Sequence, residues 1–183
     1  QQFGWDMVAR ADGRTLVVGA PGKSQGEVHF LFRSITTAGT LFQSNSVQTM
    51  TENDDNTSKL GSSLSMSTDE NFVVAGAPFT NVLQSDGSTR YANNGLIKIY
   101  IWDPSTFKYG LLNTITAPDD GSTTDSSQAQ RFGQSHKISE PGASSVRDTA
   151  TKYLFVGAPG YDNNKGRVYM YEWGIGADGS TYD

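Results

Sequence analysis

The residues of this chain that could do chemistry are few and widely spaced. Histidine occurs twice, at His29 and His136, and cysteine not at all. The lack of cysteine excludes a disulfide framework, a thiolate metal site and a cysteine nucleophile. A serine nucleophile would need a histidine base held by a third group, and such triads assemble from distant positions. Serine is too abundant here to carry information, and both histidines fall in strand-like sequence, so a structural role is expected for each. Gly22-Lys23-Ser24 ends like a phosphate-binding loop, but the earlier glycine of G-x-x-x-x-G-K-[ST] is missing and no helical pattern follows.

Binding chemistry is better represented than catalytic chemistry. Acidic residues cluster in Glu52-Asn53-Asp54-Asp55-Asn56 and again in Asp119-Asp120-Gly121, with Asp125 nearby. Asp54, Asp55, Asp119 and Asp120 could together receive a basic or polyhydroxyl partner; singly, each also serves as a solvated loop charge that keeps a β-rich chain soluble. The stretch Phe79 to Asn94 carries Asp86, Arg90 and Tyr91, where an aromatic ring beside polar groups could stack on a sugar or anchor a protein contact. Asn56-Thr57-Ser58 fits the N-x-[ST] acceptor of N-glycosylation, which makes Asn56 a candidate modification site.

Composition bounds the scaffold that must position these groups. The chain has 183 residues, usual for one domain and enough to bury a core. Charged residues make up only 18%, aromatics 11%, and glycine occupies 20 positions, which fits an all-β chain with many turns. A net charge of −5 argues against nucleic acid or anionic membrane as a non-specific partner, since both require clustered Lys and Arg. No run approaches the roughly 18 apolar residues of a membrane span. Gln1 opens directly on strand-like sequence rather than a signal peptide, so a removed leader or a longer parent chain is expected.

The elements repeat. In the first unit, Phe3-Gly4 leads into alternating Trp5, Met7 and Ala9; Asp12-Gly13 signals a hairpin; Thr15 to Val18 is a continuous apolar run ended by Gly19-Ala20-Pro21. Gly26 then opens a strand with Val28, Phe30 and Phe32 on one face, and a weaker fourth strand is expected from Thr40 to Thr49. The second unit begins at Leu60-Gly61, turns at Thr68 to Asn71, reaches Gly76-Ala77-Pro78, and reopens at Gly95 with Ile97, Ile99 and Ile101 on one face. Its fourth strand is predicted from Leu111 to Thr116. The third begins at Phe132-Gly133, passes Gly157-Ala158-Pro159 and reopens at Gly166, with Val168, Met170 and Glu172 opposed to Tyr169, Tyr171 and Trp173. From the opening residue to the glycine of GAP is 16 positions (19 − 3), 16 (76 − 60) and 25 (157 − 132). From that glycine to the next strand-opening glycine is 7, 19 and 9. Insertions thus fall in loops, as repeat architectures require.

This pattern of FG, GAP and G-x-[VI] resembles the FG-GAP repeats of integrin α-subunit β-propellers and of related surface proteins in bacteria, algae and protists. The resemblance runs from Phe3 to about Trp173. It implies an all-β fold of four-stranded antiparallel blades arranged about a central axis. Blade 1 spans about 3–50, blade 2 about 60–117 and blade 3 about 132–183 with its fourth strand incomplete. Such propellers have about seven blades, within a known range of roughly 4–8. Three blades cannot close a ring, so the chain is expected to be part of a larger propeller, with a ring completed by a second copy as the alternative.

Many members of that family bind calcium through D-x-D-x-D-G-x-x-D in the first hairpin of a blade. Here only Asp12-Gly13 survives between Arg10 and Arg14; Asp69 and Glu70 sit in too short a turn, and the third loop offers only Glu140 and Asp148. Ordinary turns, and no bound metal or other cofactor, are therefore expected. Family ligand surfaces form from the loops between blades and between second and third strands, where the acidic clusters and the Phe79–Asn94 stretch lie. The function expected is that of a non-catalytic interaction module, extracellular or on the cell surface, binding a protein partner or joining a larger assembly. A lectin-like module using Phe79, Tyr91 and the acidic loops is one alternative; a scaffold domain of a larger enzyme is another.

Overall fold

A computed structural model gives the fold, and it describes residues 2–33, 47–51, 57–83, 90–118, 129–139 and 152–173. The protein is all-β, laid out as successive antiparallel sheets in chain order. The first sheet is a meander of β1 (Met7–Ala9), β2 (Thr15–Ala20), β3 (Glu27–Phe32) and β4 (Val47–Thr51). The second consists of β5 (Ser63–Met66), β6 (Phe72–Ala77), β9 (Leu96–Asp103) and β10 (Lys108–Thr116). Between β6 and β9 the chain folds a two-stranded ribbon, β7 (Val82–Leu83) and β8 (Arg90–Tyr91). The third sheet contains β11 (Ser135–Ser139), β12 (Lys152–Ala158) and β13 (Arg167–Trp173). A tight turn at Tyr161–Asn164 precedes β13, with positive φ at Asp162, Asn163 and Asn164.

The alternation read from the sequence sets which side chains meet. Val17, Val28 and Phe30 of the first sheet pack on Leu64, Val73, Ala75, Leu96 and Tyr100 of the second. Phe30 stacks on Tyr109 at 4.7 Å between ring centroids and meets Tyr100 edge-on at 5.5 Å. The opposite face of the second sheet presents Phe72, Val74, Ile97 and Ile99 to Ile138, Leu154, Val156 and Ala158 of the third. Two apolar cores therefore lie between three sheets stacked face to face. The first strands of the sheets lie together, β5 touching both β1 and β11.

The structure sharpens the sequence reading in three places. Trp5 precedes β1, and the alternation expected there holds with Val8 turned towards the core and Trp5 and Met7 exposed, because no sheet packs on their side of the first one among the described residues. Gly19-Ala20 forms the last two residues of β2, which stops before Pro21, and Gly76-Ala77 does the same for β6 before Pro78. The fourth strand of the second sheet begins at Lys108 rather than Leu111, with a register shift between Leu111 and Asn113.

The glycines of GAP have a packing reason. A methyl group on Gly19 would overlap the carbonyl oxygen of Gly61, the second residue of the next unit; one on Gly76 would overlap that of Gly133. The strand-opening glycines complete the notch. Gly26 is pressed against the backbone of Leu60 and Gly95 against that of Phe132, where any Cβ would overlap main-chain atoms. The amide of Leu60 donates to the carbonyl of Gln25 at 3.1 Å, and that of Phe132 to Asn94 at 2.9 Å. Each unit thus receives the opening dipeptide of the next, and Leu60 and Phe132 are completely buried there.

Candidate functional site

Three places hold polar groups that the fold brings together: the seam where the first strands meet, the edge where hairpins of neighbouring sheets touch, and the opposite edge with its long loop.

At the seam, His136 of β11 lies against β5. The Ser65 hydroxyl is 2.8 Å from His136 Nδ1, and His136 Nε2 is 3.2 Å from the Ser63 carbonyl. A carbonyl can only accept, so Nε2 carries the hydrogen and Nδ1 accepts from Ser65. Burial pushes the imidazole down to about 4, against the Ser63 carbonyl and the Asp6 carboxylate, which pull it up. Asp6 accepts from the amides of Leu64 at 2.7 Å and Met7 at 2.8 Å. The Ser63 hydroxyl donates to the Gly133 carbonyl at 2.7 Å. The Ser65–His136 pair superficially matches a nucleophile and its base. Ser65 is buried, however, and the other nitrogen of the ring is committed to a main-chain carbonyl rather than an acid. Its arrangement is that of a neutral bridge between two sheets.

His29 is engaged differently. Its Nε2 lies 2.9 Å from Glu27, which also pairs with Lys23 at 2.9 Å, and Nδ1 is 3.2 Å from the Thr49 hydroxyl. Lys23 of the Gly22-Lys23-Ser24 stretch thus has a carboxylate partner within its own sheet.

At the hairpin edge, the turn of the second sheet reaches both neighbours. Glu70 accepts from Arg10 Nε at 2.7 Å and from the Ala11 amide at 2.5 Å, while the Tyr109 hydroxyl donates to the Glu70 carbonyl at 3.0 Å. Asp69 pairs with the buried Lys152 of the third sheet at 3.0 Å. Burial raises the Asp69 carboxyl, but the Ser67 hydroxyl and Lys152 outweigh it and leave it below its ordinary value. The Asp12 turn, where a cation was considered, is taken up locally: Asp12 accepts from the Arg14 amide at 2.8 Å and lies 3.5 Å from Arg14 Nε. No group of three or more His, Cys, Asp or Glu poised to hold a metal occurs among the described residues. Neither latch was legible in the sequence, because Arg10–Glu70 and Asp69–Lys152 join side chains 60 and 83 positions apart.

The opposite edge gathers the loop between β6 and β9 with the connectors that enter the second and third sheets. The Phe79 amide donates to the Ser58 carbonyl at 3.2 Å, and the Thr57 hydroxyl to the Phe79 carbonyl at 3.2 Å. On the other side, the Arg131 amide donates to Asn93 at 3.1 Å, and the Arg131 guanidinium sits 5.8 Å from the centre of the Phe79 ring. The half-buried Phe79, exposed Arg131 and exposed Leu83 on the ribbon share this edge. Arg90 and Tyr91 pair with Leu83 and Val82 in the ribbon. Asp54, Asp55, Asn56, Asp86, Asp119 and Asp120 lie outside the described residues, as do Glu140 and Asp148. Arg131 had no signal in the sequence beyond its position before Phe132. Among the described residues, no helix is long and apolar enough to cross a membrane. Comparison with known proteins yields no family model that matches the chain and no match among curated proteins.

Proposed function

We propose that this chain is a non-catalytic interaction module, made of FG-GAP-type blades of a β-propeller, that acts outside the cell or at its surface. The three sheets would be three blades, with their first strands nearest the axis. The function would lie at the loop edge, presented to a protein partner or to a larger assembly. The observation that carries this reading is how the described ends of the loop between β6 and β9 are held. Thr57 and Ser58 hydrogen-bond Phe79 on one side, and on the other Arg131 bonds Asn93 and faces the Phe79 ring, so that an aromatic ring and a cation sit together at this edge. An aromatic beside an arginine on such a scaffold suits protein recognition, which draws its energy from such anchors. The engagement of both histidines in inter-strand bonds, with Ser65 buried, supports a non-catalytic role.

The test is site-specific photo-crosslinking on intact cells or their secreted matrix. A photoreactive residue at Leu83 should give protein adducts that the same probe at Phe107, an exposed residue at the hairpin edge, does not. Equal labelling from both positions would count against the loop edge. The aromatic–cation pair of Phe79 and Arg131 also suits a sugar ring, and glycan-array binding abolished by Phe79→Ala or Tyr91→Ala would move the assignment to a lectin. Hydrolase activity lost on His136→Ala would overturn the non-catalytic reading altogether.

A further inference from the structure

The dipeptide that opens each unit is preceded by a residue in the left-handed region: Gln2 with φ of 55°, Lys59 with 59° and Arg131 with 54°. The turn itself requires that geometry. The carbonyl of Lys59 accepts from the Ser62 amide at 3.1 Å, and that of Arg131 from the Gln134 amide at 3.1 Å, so each turn delivers the buried Leu60 or Phe132 into its notch. Glycine or asparagine reaches this region with less strain than a long side chain does. At both internal junctions the position nevertheless carries a cation.

The aromatic ring beside them is particular to its unit. The residue after GAP is Gly22 in the first unit, Phe79 in the second and Gly160 in the third. A Cβ on Gly160 would overlap the Ala129 carbonyl, and one on Gly22 would crowd the Gln2 side chain. The repeat thus works with glycine there, and the Phe79 ring belongs to neither apolar core. It lies half-buried with the Arg131 guanidinium 5.8 Å from its centre. Its main chain is bonded to Thr57 and Ser58, the two residues before Lys59. Arg131 is exposed and Lys59 half-buried, and neither has a carboxylate partner among the described residues. By contrast, Arg10, Lys23, Lys152 and Lys165 are each paired with an acid.

We infer that the loop edge receives an acidic peptide, a reading that rests on this edge being the functional face and names the chemistry of its partner. Carboxylates of an extended segment reach Lys59 and Arg131, while an apolar side chain between them lies on Phe79. A guanidinium grips a carboxylate through two parallel N–H···O bonds, and one held beside a ring is already oriented and weakly hydrated. Lys59 and Arg131 hold the same position in successive units, and stacked sheets lie roughly 10 Å apart. Every second side chain of an extended peptide shares a face and recurs about every 7 Å. Acids two or four residues apart therefore fall within reach of side chains this long, and an acidic–apolar–acidic alternation matches the cation, ring and cation. The chain's net charge of −5 gives such a partner no general attraction, so the contact depends on these two side chains.

Panning a displayed random-peptide library on the immobilised 183-residue chain should enrich sequences with acids two or four positions apart. A synthetic peptide of the enriched sequence should bind in fluorescence anisotropy. Its affinity should fall about tenfold or more when its acids become amides, and likewise with Arg131→Asn or Lys59→Asn. Lys108→Asn, at the hairpin edge, should leave it unchanged. Asparagine accepts the left-handed backbone, so both junction variants should melt with the parent. Enriched peptides without acids, an affinity that survives both junction variants, or a library that yields no binder would each overturn the acidic partner. Protein adducts from the probe at Leu83 would then still hold the loop edge as the functional face. Acidic glycans bound through the same two cations, with no peptide enriched, would likewise overturn the peptide and put a carbohydrate in its place.

Discussion

Acidification gives the most direct test of the seam between β5 and β11. The unfolded imidazole of His136 takes a proton at about pH 6.5, whereas burial pushes it down to about 4 in the folded protein. The folded state therefore binds fewer protons than the unfolded state throughout that interval. Stability is fully present above about pH 6.5 and is lost as pH falls towards about 4. The separation of about 2.5 units sets a ceiling of about 3 kcal/mol, reached below the folded value. At about pH 5 the unfolded histidine is almost fully protonated and the folded one about one-tenth, so about 2 kcal/mol should be gone relative to about pH 7. His136 as a residue is only half-buried, which makes these figures upper ones. Against a typical stability of about 5–15 kcal/mol, such a loss is easily resolved by urea denaturation. His136→Gln preserves a donor for the Ser63 carbonyl and an acceptor for Ser65 but cannot titrate. The variant should lose about 2 kcal/mol less than the parent over the same interval, a comparison in which whatever the rest of the protein contributes is common to both. Parallel losses in the two proteins, or an NMR titration of His136 centred near 6.5, would refute the argument.

Other expectations follow from the notches and latches. Gly76→Ala should destabilise by at least about 2 kcal/mol because the new methyl overlaps the Gly133 carbonyl. Gly110→Ala on β10, with open space around it, should be neutral or mildly stabilising by chemical denaturation. Leu60→Ala removes a completely buried side chain and should cost about 2–5 kcal/mol, measured by the same method. Breaking the partly buried Arg10–Glu70 pair with Glu70→Gln should cost about 1–2 kcal/mol; a double-mutant cycle with Arg10→Gln should return most of it as coupling energy. If the two residues prove additive, the pair does not join the first and second sheets as described.

How much of this was legible beforehand depended on the range of the interaction. Strand placement was readable because period-two alternation is local. Val28, Phe30 and Phe32 share one face as expected, as do Ile97, Ile99 and Ile101, because neighbouring side chains in a strand must point to opposite sides. Even the exposure of Met170 and the burial of Leu154 follow from which neighbour each face has, although only the stacking assigns that neighbour. The candidate site was less legible. Of the residues singled out for binding, Phe79 lies beside Arg131, which did not stand out by type or spacing. Their common position arises from hydrogen bonds of Phe79 to Ser58 and of Arg131 to Asn93, each joining loops of different parentage.

The sequence alone determined the repeat, the strand order within each unit and the face each apolar residue occupies, because these follow from covalent neighbours and the two-residue period of a strand. Tertiary structure decided why FG and GAP recur: Gly19 and Gly26 make room for the backbone of Leu60-Gly61, and Gly76 and Gly95 for that of Phe132-Gly133. It also decided that His136 is held neutral between Ser63 and Ser65, and that Asp69 and Glu70 tie the second sheet to both others. Those outcomes depend on atoms of different sheets approaching within hydrogen-bonding or van der Waals distance, which no local pattern in one chain segment encodes.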